Sequence, residues 1–537
     1  MKKPKKKQPA KAPKKKADPA QESIRQAVAG LDEAALREFL SMFSDAGFGP
    51  PDTVELFSEY LEACQEGDLD DEERAELMDE LVGALDQLRV DANGGSREAR
   101  EQMKEIFSLL DNAIAENTLA PVDLMMTGKV FSDSGWETPE SLKRALAQAL
   151  ESGPVDESGA GGSDLVTSML ALVQEAEFDV FELYEHVNSL LAGFPAEASV
   201  MLIGGLVGGD RPIINAGLAG FLLHKNREIA RATAEALAAC AKRAPVESAL
   251  VERLLLMRPW LAPERQAFLD TAVKAMRLNA QPPAKREQAS TPECLVSVRD
   301  GSGAQSLFVS QKLRSRFGVV IVMTKSVGVA EAVVMADLPK AALNEIVGQM
   351  KASVPMMKTD IPGLARVLAL ALADNLKSGS PPPFKLVQAV ECLGLGHVHP
   401  DHSSSAEILD GLLADLPEEQ TAPDAVAKAH AELSDSCFMD QWFEAGEALD
   451  EALGPVKGEQ RRIAKMLKDY LPARRDFWAR QCALTALAMR SEDCKLRPTW
   501  IEVALVGRDV AGDTPIEEMP FMKRVAEASV EAFEAQL

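Results

Sequence analysis

The stretch VVIVMTKSVGVAEAVVMA, residues 319–336, decides what kind of fold this chain can adopt. It contains two Val-rich runs of strand length, Val319 to Thr324 and Val327 to Ala336. Two runs of the same kind precede it, Cys294 to Val298 and Ala304 to Ser310. The four runs predict short β-strands that are neighbours along the chain.

A glycine-rich turn joins the first two runs. It reads Asp300-Gly301-Ser302-Gly303, and glycine supplies the positive φ angle that tight turns require. This favours a hairpin, and the helical pattern from Leu338 to Met350 would cover one face of the resulting sheet. We therefore expect a small antiparallel β module of the α+β type around residues 293–350.

Outside this module the apolar residues recur at three- and four-residue spacings, which is typical of helices. Only 5% of the residues are aromatic, so the cores must be built mainly from Leu, Ala, Val, Ile and Met. We expect a mainly α fold of helical bundles or α-solenoid-like stacks, interrupted by the one small sheet. In the first third of the chain the predicted helices are Asp32 to Phe43, Asp52 to Cys64, Asp70 to Leu88, Ser96 to Ile114 and Thr138 to Leu150.

The helices between residues 164 and 280 have a distinctive arrangement of small and large residues. The helix from Arg227 reads IARATAEAL over residues 229–237, with small residues in the middle and larger ones at either end. The preceding helix, Pro212 to Leu223, begins after Asp210-Arg211. This segment resembles helical repeats of the HEAT or armadillo type, which implies stacked helix pairs with an extended surface for partners. An Ala-rich bundle without repeats would give the same pattern.

Stretches rich in Gly, Ser and Pro indicate where the chain divides. The predicted linkers are residues 152–163, 281–292 and 378–383. The predicted units between them are a Lys-rich arm (1–20), an N-terminal helical domain (21–151), a HEAT-like helical domain (164–280), a small α+β module (293–377) and a C-terminal helical domain (384–537).

The charge of the chain is divided unevenly. Nine lysines and no acidic residue lie within residues 1–16, whereas the rest of the chain carries 49 basic and 83 acidic residues, a net charge of −34. Such an arm is expected to be disordered and to bind the phosphates of nucleic acid or of anionic lipid. The alternative is that it solubilises the chain or folds back onto the acidic body. The lysines are Lys2, Lys3, Lys5, Lys6, Lys7, Lys11, Lys14, Lys15 and Lys16.

The cysteines and the hydropathy pattern predict a soluble, cytoplasmic protein. The seven cysteines lie far apart without a Cys-x-x-Cys pair, as expected of reduced thiols. The basic N-terminus lacks the apolar run of a signal peptide, and no stretch reaches the about 20 apolar residues of a membrane span.

One cluster has the residue types that bind metals. The segment CLGLGHVHPDH, residues 392–402, holds three of the six histidines in the chain. Imidazole, thiolate and carboxylate groups are ligands for Zn²⁺, although this spacing matches no common closed zinc site. The alternative is an exposed turn that precedes a helix capped at Ser403 or Ser404. The candidate ligands are Cys392, His397, His399 and His402, with Asp401 beside them, and no other cofactor is expected.

A second candidate is the basic segment from Lys457 to Arg480. It has eight cationic and three acidic side chains, with Tyr470, Phe477 and Trp478 among them. This pattern is typical of a phosphate-binding face with an aromatic platform. Because the apolar residues also keep helical spacing, the alternative is that they form core while the cations dock against the acidic body. The candidate binding residues are Arg461, Arg462, Lys465, Arg474 and Arg475.

The sequence lacks the common catalytic signatures. It contains no phosphate-binding loop, nucleophile elbow, zinc-protease motif or kinase motif set. We therefore expect a non-enzymatic interaction or scaffold protein that binds a protein partner through helical-repeat surfaces. One alternative is a nucleic-acid-associated protein that uses the arm and the basic segment. Another is a metal-dependent enzyme that uses His397, His399 and His402.

Overall fold

The computed structural model describes residues 53–66, 71–93, 95–152, 178–207, 212–243, 245–279, 292–313, 316–490 and 496–535. These residues form mostly helices together with one five-stranded antiparallel sheet, so the predicted fold class is confirmed. The helix predicted at Asp32 to Phe43 and the Lys-rich arm lie outside the described residues. None of the described helices combines the length and the apolar composition that a membrane span needs.

Five helices of the N-terminal part pack around a core of their own. Phe57, Leu85, Ile106 and Phe131 are completely buried in this core. The hydroxyl of Ser96 caps the third helix by accepting a hydrogen bond from the backbone of Ala99, which confirms the predicted start of that helix. The helices are α1 (Thr53–Glu66), α2 (Asp71–Asn93), α3 (Arg97–Ala115), α4 (Pro121–Asp133) and α5 (Glu140–Ser152).

The next six helices stack in two layers. They are α6 (Val180–Ala192), α7 (Ala196–Leu206), α8 (Pro212–Leu218), α9 (Arg227–Ala241), α10 (Ser248–Met257) and α11 (Pro263–Arg277). Helix α9 lies between α7 and α11 in one layer, and α6 packs on α8 in the other. Successive helices of a layer begin 31 to 36 residues apart. HEAT repeats have a period of about 40 residues, so the observed spacing is shorter than the one that the predicted resemblance implies.

The sheet has the strand order β4-β3-β2-β1-β5, and all neighbouring strands are antiparallel. Its strands are β1 (Glu293–Ser297), β2 (Gln305–Leu313), β3 (Arg316–Lys325), β4 (Gly328–Leu338) and β5 (Met356–Thr359). The first four coincide with the predicted Val-rich runs. The fifth was not predicted: it follows helix α12 (Lys340–Ser353) and returns to pair with β1, where Val296 lies opposite Met357.

Both faces of this sheet are buried. Leu295, Phe308, Val319 and Ile321 form one face and pack with Ile346 and other side chains of α12. The residues between them point the opposite way, because side chains of a strand alternate between faces. Those residues belong to the main core and include Val296, Leu307, Val309, Val320 and Val322. The sheet is therefore enclosed between α12 and the rest of the helical body.

The remaining helices complete the main core, which extends from Phe181 to Phe533. They are α13 (Ile361–Ser378), α14 (Lys385–Leu393), α15 (Ser405–Leu413), α16 (Pro423–Ser434), α17 (Glu447–Leu453), α18 (Glu459–Lys465), α19 (Arg475–Met489), α20 (Trp500–Ala511) and α21 (Pro520–Ala535). The N-terminal helices contact this body directly. Arg100 Nη2 donates to Asp450 Oδ2 at 2.8 Å, and α4 packs on α6.

The hairpin turn between β1 and β2 docks into the C-terminal helices. The indole Nε1 of Trp442 donates to the carbonyl oxygen of Arg299 at 2.7 Å. Gly301 lies against the backbone of Gln441 and Phe443, so closely that a Cβ atom added to Gly301 would stand 2.1 Å from the oxygen of Gln441. Glycine is therefore required at this position by the close approach of two backbones.

We predict that Gly301→Ala lowers the free energy of unfolding by about 1–3 kcal/mol, because the turn must move away from residues 441–443. Gly348→Ala is the matched control: Gly348 lies within α12 with open space around it, and alanine there should raise stability by about 0.5–1 kcal/mol. Urea unfolding of both variants measures the difference. Equal changes in the two variants would show that the turn does not dock as described.

Candidate functional site

The cations of the basic segment are largely bound to groups of the protein itself. Arg462 Nη1 pairs with Glu534 Oε1 at 2.5 Å, and its guanidinium lies over the ring of Phe533. Lys465 Nζ pairs with Asp469 Oδ2 at 3.2 Å along one helical face. Arg461 is exposed on α18. Four of the eight cations, Arg462, Lys465, Arg474 and Arg480, therefore pair with acidic side chains of the chain itself.

The aromatic residues of the same segment belong to the core. Trp478 is 0% exposed, and its Nε1 donates to the buried carboxylate of Glu444 at 2.8 Å. Arg474 Nε donates to the same Glu444 oxygen at 2.9 Å and covers the ring of Phe477, 4.0 Å from its centroid. The ring of Trp478 is therefore not available for stacking on bases, whereas Phe477 and Tyr470 are half-buried against the core. The geometry favours the interpretation that the segment docks against acidic groups of the body.

The structure does not bring the candidate metal ligands together. Those residues are Cys392, His397, His399 and His402. The three imidazoles are exposed, whereas Val398 between two of them is buried and its carbonyl accepts from Trp260 Nε1 at 2.9 Å. Across the described ranges, no group of three or more His, Cys, Asp or Glu side chains is placed to hold a metal ion. The zinc hypothesis therefore gains no support, while Ser404 caps α15 in a capping box with Glu407.

A cleft of about 390 Å³ lies between α16, the end of α20 and the residues that lead into α21. Helix α16 begins at Pro423, whose fixed φ angle suits the first turn of a helix. Val426, Met519 and Pro520 supply apolar lining, and the polar lining includes His430, Asp509 and Glu518. We call this the His430 cleft.

His430 and Asp509 are hydrogen bonded in the wall of the cleft. The distance from His430 Nε2 to Asp509 Oδ2 is 3.0 Å, and Asp509 Oδ1 accepts from the hydroxyl of Thr514 at 2.7 Å. Because the carboxylate accepts, we assign the proton of the neutral imidazole to Nε2, which leaves Nδ1 as an acceptor. Nδ1 has no hydrogen-bond partner among the described residues, although His430 is only 3% exposed. Buried acceptors are nearly always satisfied, so this atom requires an explanation.

The charge state of His430 follows from its burial. Burial lowers the pKa of His430 because the imidazolium would lose its hydration, and the Asp509 carboxylate opposes this effect only in part. Burial also lowers the pKa of His224, a residue of the helical stack, to about 4. Both rings are therefore neutral at pH 7.

The two segments that form the cleft are strongly acidic. Residues 418–430 and 509–520 contain seven carboxylates and one lysine, Lys428. That lysine pairs with Glu432 at 3.3 Å. Six of the carboxylates are exposed: Glu418, Glu419, Asp424, Asp513, Glu517 and Glu518. Two arginines also contact the lining, because Arg508 donates to the carbonyl of Thr421 and Arg475 to that of Thr514. With Lys428 this makes three cations against seven carboxylates, so the surplus charge around the cleft is negative and attracts cations.

Arg475, one of the residues predicted for phosphate binding, supports this cleft instead. Its guanidinium donates to the carbonyl oxygens of Val510, Gly512 and Thr514, beyond the last turn of α20. The same Thr514 supplies the hydroxyl that binds Asp509. Arg475 therefore positions the loop that holds the carboxylate against His430.

His430 and Asp509 are not among the site residues that the sequence predicts. The two residues are 79 positions apart and belong to no motif. One signal was present: Val426, Ala429, His430 and Leu433 follow helical spacing, so a histidine stands in the apolar stripe of α16. Only the packing of α16 on α20 reveals its partner.

Comparison with known proteins identifies relatives of two regions. Residues 195–279 match a family model described as the Y4lR second domain, and residues 406–534 match the Y4lR C-terminal helical domain. The chain is 24% identical over 463 residues to uncharacterized protein y4lR of Sinorhizobium fredii (strain NBRC 101917 / NGR234), a match that covers 83% of this chain and 87% of that protein. No solved structure matches the chain. The resemblance to HEAT or armadillo repeats stays a prediction.

We predict that Arg475→Ala lowers the free energy of unfolding by about 2–3 kcal/mol, because three carbonyl oxygens lose a charged donor. Lys468→Ala, which removes an exposed cation of the same segment, should change it by no more than about 0.5 kcal/mol. Hydrogen exchange of residues 510–516 should accelerate only in Arg475→Ala. Unchanged exchange there would mean that Arg475 does not hold the loop.

The lowered pKa of His430 also predicts how stability depends on pH. In the unfolded chain histidine titrates near about 6.5, so the contribution of neutral His430 is complete above that pH and is lost as the pH falls through the lower folded-state value. Urea midpoints between pH 7 and pH 4 should fall less steeply in His430→Gln, whose amide can still donate to Asp509 but does not titrate. Parallel curves for the two proteins would contradict this assignment.

Proposed function

We propose that the chain is a non-enzymatic interaction or scaffold protein, and that the His430 cleft binds a basic segment of a protein partner. The observation that carries this proposal is an open cleft of about 390 Å³ with apolar lining and six exposed carboxylates on the segments around it. Lysine and arginine side chains bring N–H donors together with a positive charge that these carboxylates attract. The Nδ1 atom of His430 is itself closed to solvent and is not part of the binding surface.

The shape and lining of the cleft suit a long basic side chain. The methylenes of lysine can lie along Val426, Met519 and Pro520 while the ammonium group reaches Glu518. A volume of about 390 Å³ is enough for one or two such side chains. An acidic ligand would meet seven carboxylates on the surrounding segments and is disfavoured.

The helical stack supports the scaffold part of the proposal. We infer that α6 to α11 form a HEAT-like repeat domain, because helices of each layer recur at 31 to 36 residues. We also retain the predicted domain boundaries and a cytoplasmic location. The buried thiols of Cys240, Cys294 and Cys482 are consistent with that location.

The two alternative functions have less geometric support. For nucleic acid, the arginines 462, 474 and 475 are engaged by groups of the protein itself. For metal-dependent catalysis, His397, His399 and His402 do not form a ligand set. The His430–Asp509 pair resembles an oriented base, but Thr514 binds the carboxylate and no described hydroxyl reaches Nδ1.

Binding of a labelled 12-residue peptide of alternating lysine and alanine tests the proposal, in a full-length chain whose nine arm lysines are changed to glutamine so that they cannot compete with the peptide. We predict that Glu518→Lys weakens binding to this chain about five- to tenfold, because it reverses a charge of the cleft. Fluorescence anisotropy at 50 mM and 300 mM NaCl measures the affinity. Because the interaction is electrostatic, affinity should fall at the higher salt concentration.

The control is Glu235→Lys, which makes the same charge change on the exposed face of α9. It should leave binding within about twofold of the unaltered protein. Equal weakening by Glu235→Lys and Glu518→Lys would mean that only the net charge matters, and the proposed site would be wrong.

A further inference from the structure

The Lys-rich segment at residues 2–16 and the His430 cleft are chemically complementary. The segment carries nine lysines without an acidic residue, and the segments around the cleft carry seven carboxylates and one lysine. We propose that this arm occupies the His430 cleft of the same chain and competes there with the basic segment of a partner. The inference rests on the proposed function, since it names a second occupant of the same site.

The amino-acid composition of the arm is also compatible with the cleft, in addition to the charge of the arm. Apart from lysine, residues 2–16 contain only proline, alanine and one glutamine, Gln8. No bulky side chain of the arm has to be accommodated, so a lysine can enter a cleft lined by Val426 and Pro520. Its ammonium group can pair with the exposed carboxylate of Glu518, which lines the cleft.

The acidic residues of the chain make binding of a phosphate group in the cleft unfavourable. Around the cleft, Glu518 and the other carboxylates repel anions and attract the arm. An arm held in this cleft has its lysines neutralised by acidic residues of its own chain. The same complementarity explains how a polycationic segment and a body with a net charge of −34 coexist in one sequence.

The arm has enough chain to reach the cleft. Thirty-six residues separate Lys16 from Thr53, where the first described helix begins. With the predicted helix Asp32 to Phe43 at about 1.5 Å per residue and the other residues at about 3.3 Å, they can span up to roughly 95 Å. A compact chain of this length has a radius of gyration of about 24 Å, so every part of the surface lies within reach.

Tethering makes the arm an effective competitor even when its intrinsic affinity is low. A segment joined by a linker of this kind has an effective concentration on the order of 1 mM. If the intrinsic Kd is on the order of 0.1 mM, the arm fills most clefts and weakens the binding of an added peptide about tenfold.

The experiment compares the full chain with a variant that lacks residues 2–16. Two labelled peptides are titrated into each protein at 50 mM NaCl: the arm sequence of residues 2–16, and the lysine–alanine peptide used above. We expect both peptides to bind about tenfold more tightly to the variant without the arm. A full-length variant with all nine arm lysines changed to glutamine should bind like the shortened protein, because it keeps the chain but removes the charge.

If the arm occupies the cleft, the tighter peptide binding that follows removal of the arm must depend on an intact cleft. In a Glu518→Lys background, removal of the arm should raise the affinity by only about two- to threefold, because binding five- to tenfold weaker brings the Kd of the arm close to its effective concentration. A tenfold gain that persists in that background would overturn the proposal, because the arm would then act elsewhere. A gain that grows with protein concentration would also overturn it, since the arm of a second copy would be the occupant.

The same titrations separate this inference from the proposed function. If the lysine–alanine peptide binds the full chain and the shortened chain equally, and Glu518→Lys weakens both, the cleft binds basic segments but the arm does not occupy it. If neither peptide binds either protein, the proposed function is wrong and this inference fails with it.

Discussion

Burial of the sheet on both faces is the constraint on which the rest of the structure depends. A strand that alternates Val319, Val320, Ile321 and Val322 has no polar face to present to water. Helix α12 covers one side, and the stack and the C-terminal helices must cover the other. The helical parts of the chain are therefore held together by apolar area that none of them could bury alone.

Arginine reinforces this arrangement from within. Arg299, at the end of β1, is almost completely buried, and burial lowers its pKa to about 10. The Nε of Arg299 donates to Gln481 Oε1 on helix α19 at 3.1 Å. The neighbouring residue of α19, Arg480, binds both carboxylate oxygens of Asp374 at 3.1 Å. Arginines that make such internal hydrogen bonds cannot neutralise carboxylates on the surface. The excess of acidic over basic side chains therefore lies on exposed segments such as those around the His430 cleft.

Local sequence patterns predicted the helices and strands but not the tertiary contacts between them. The four Val-rich strands, the cap at Ser96 and the positive φ of Gly303, +85°, all follow from residues close in sequence. Strand β5, by contrast, is the four-residue segment MMKT, which has no strand pattern of its own. It is stabilised by pairing with β1, which lies some sixty positions earlier in the chain. The site depends still more on long-range packing, because His430 and Asp509 meet only when α16 lies on α20.

Comparison of two buried, unpartnered polar atoms shows why the cleft is the better functional site. Asn215 Oδ1 lines a cavity of about 20 Å³ within the helical stack, which has room for a single water molecule. His430 Nδ1 is equally unsatisfied and equally closed to solvent, but its ring belongs to the wall of a cleft of about 390 Å³ that opens to solvent and is edged by carboxylates. The first cavity has no room for more than a water molecule. The cleft has the size and charge for a side chain supplied from outside the fold, so its volume and its carboxylates, and not the buried nitrogen, favour ligand binding there.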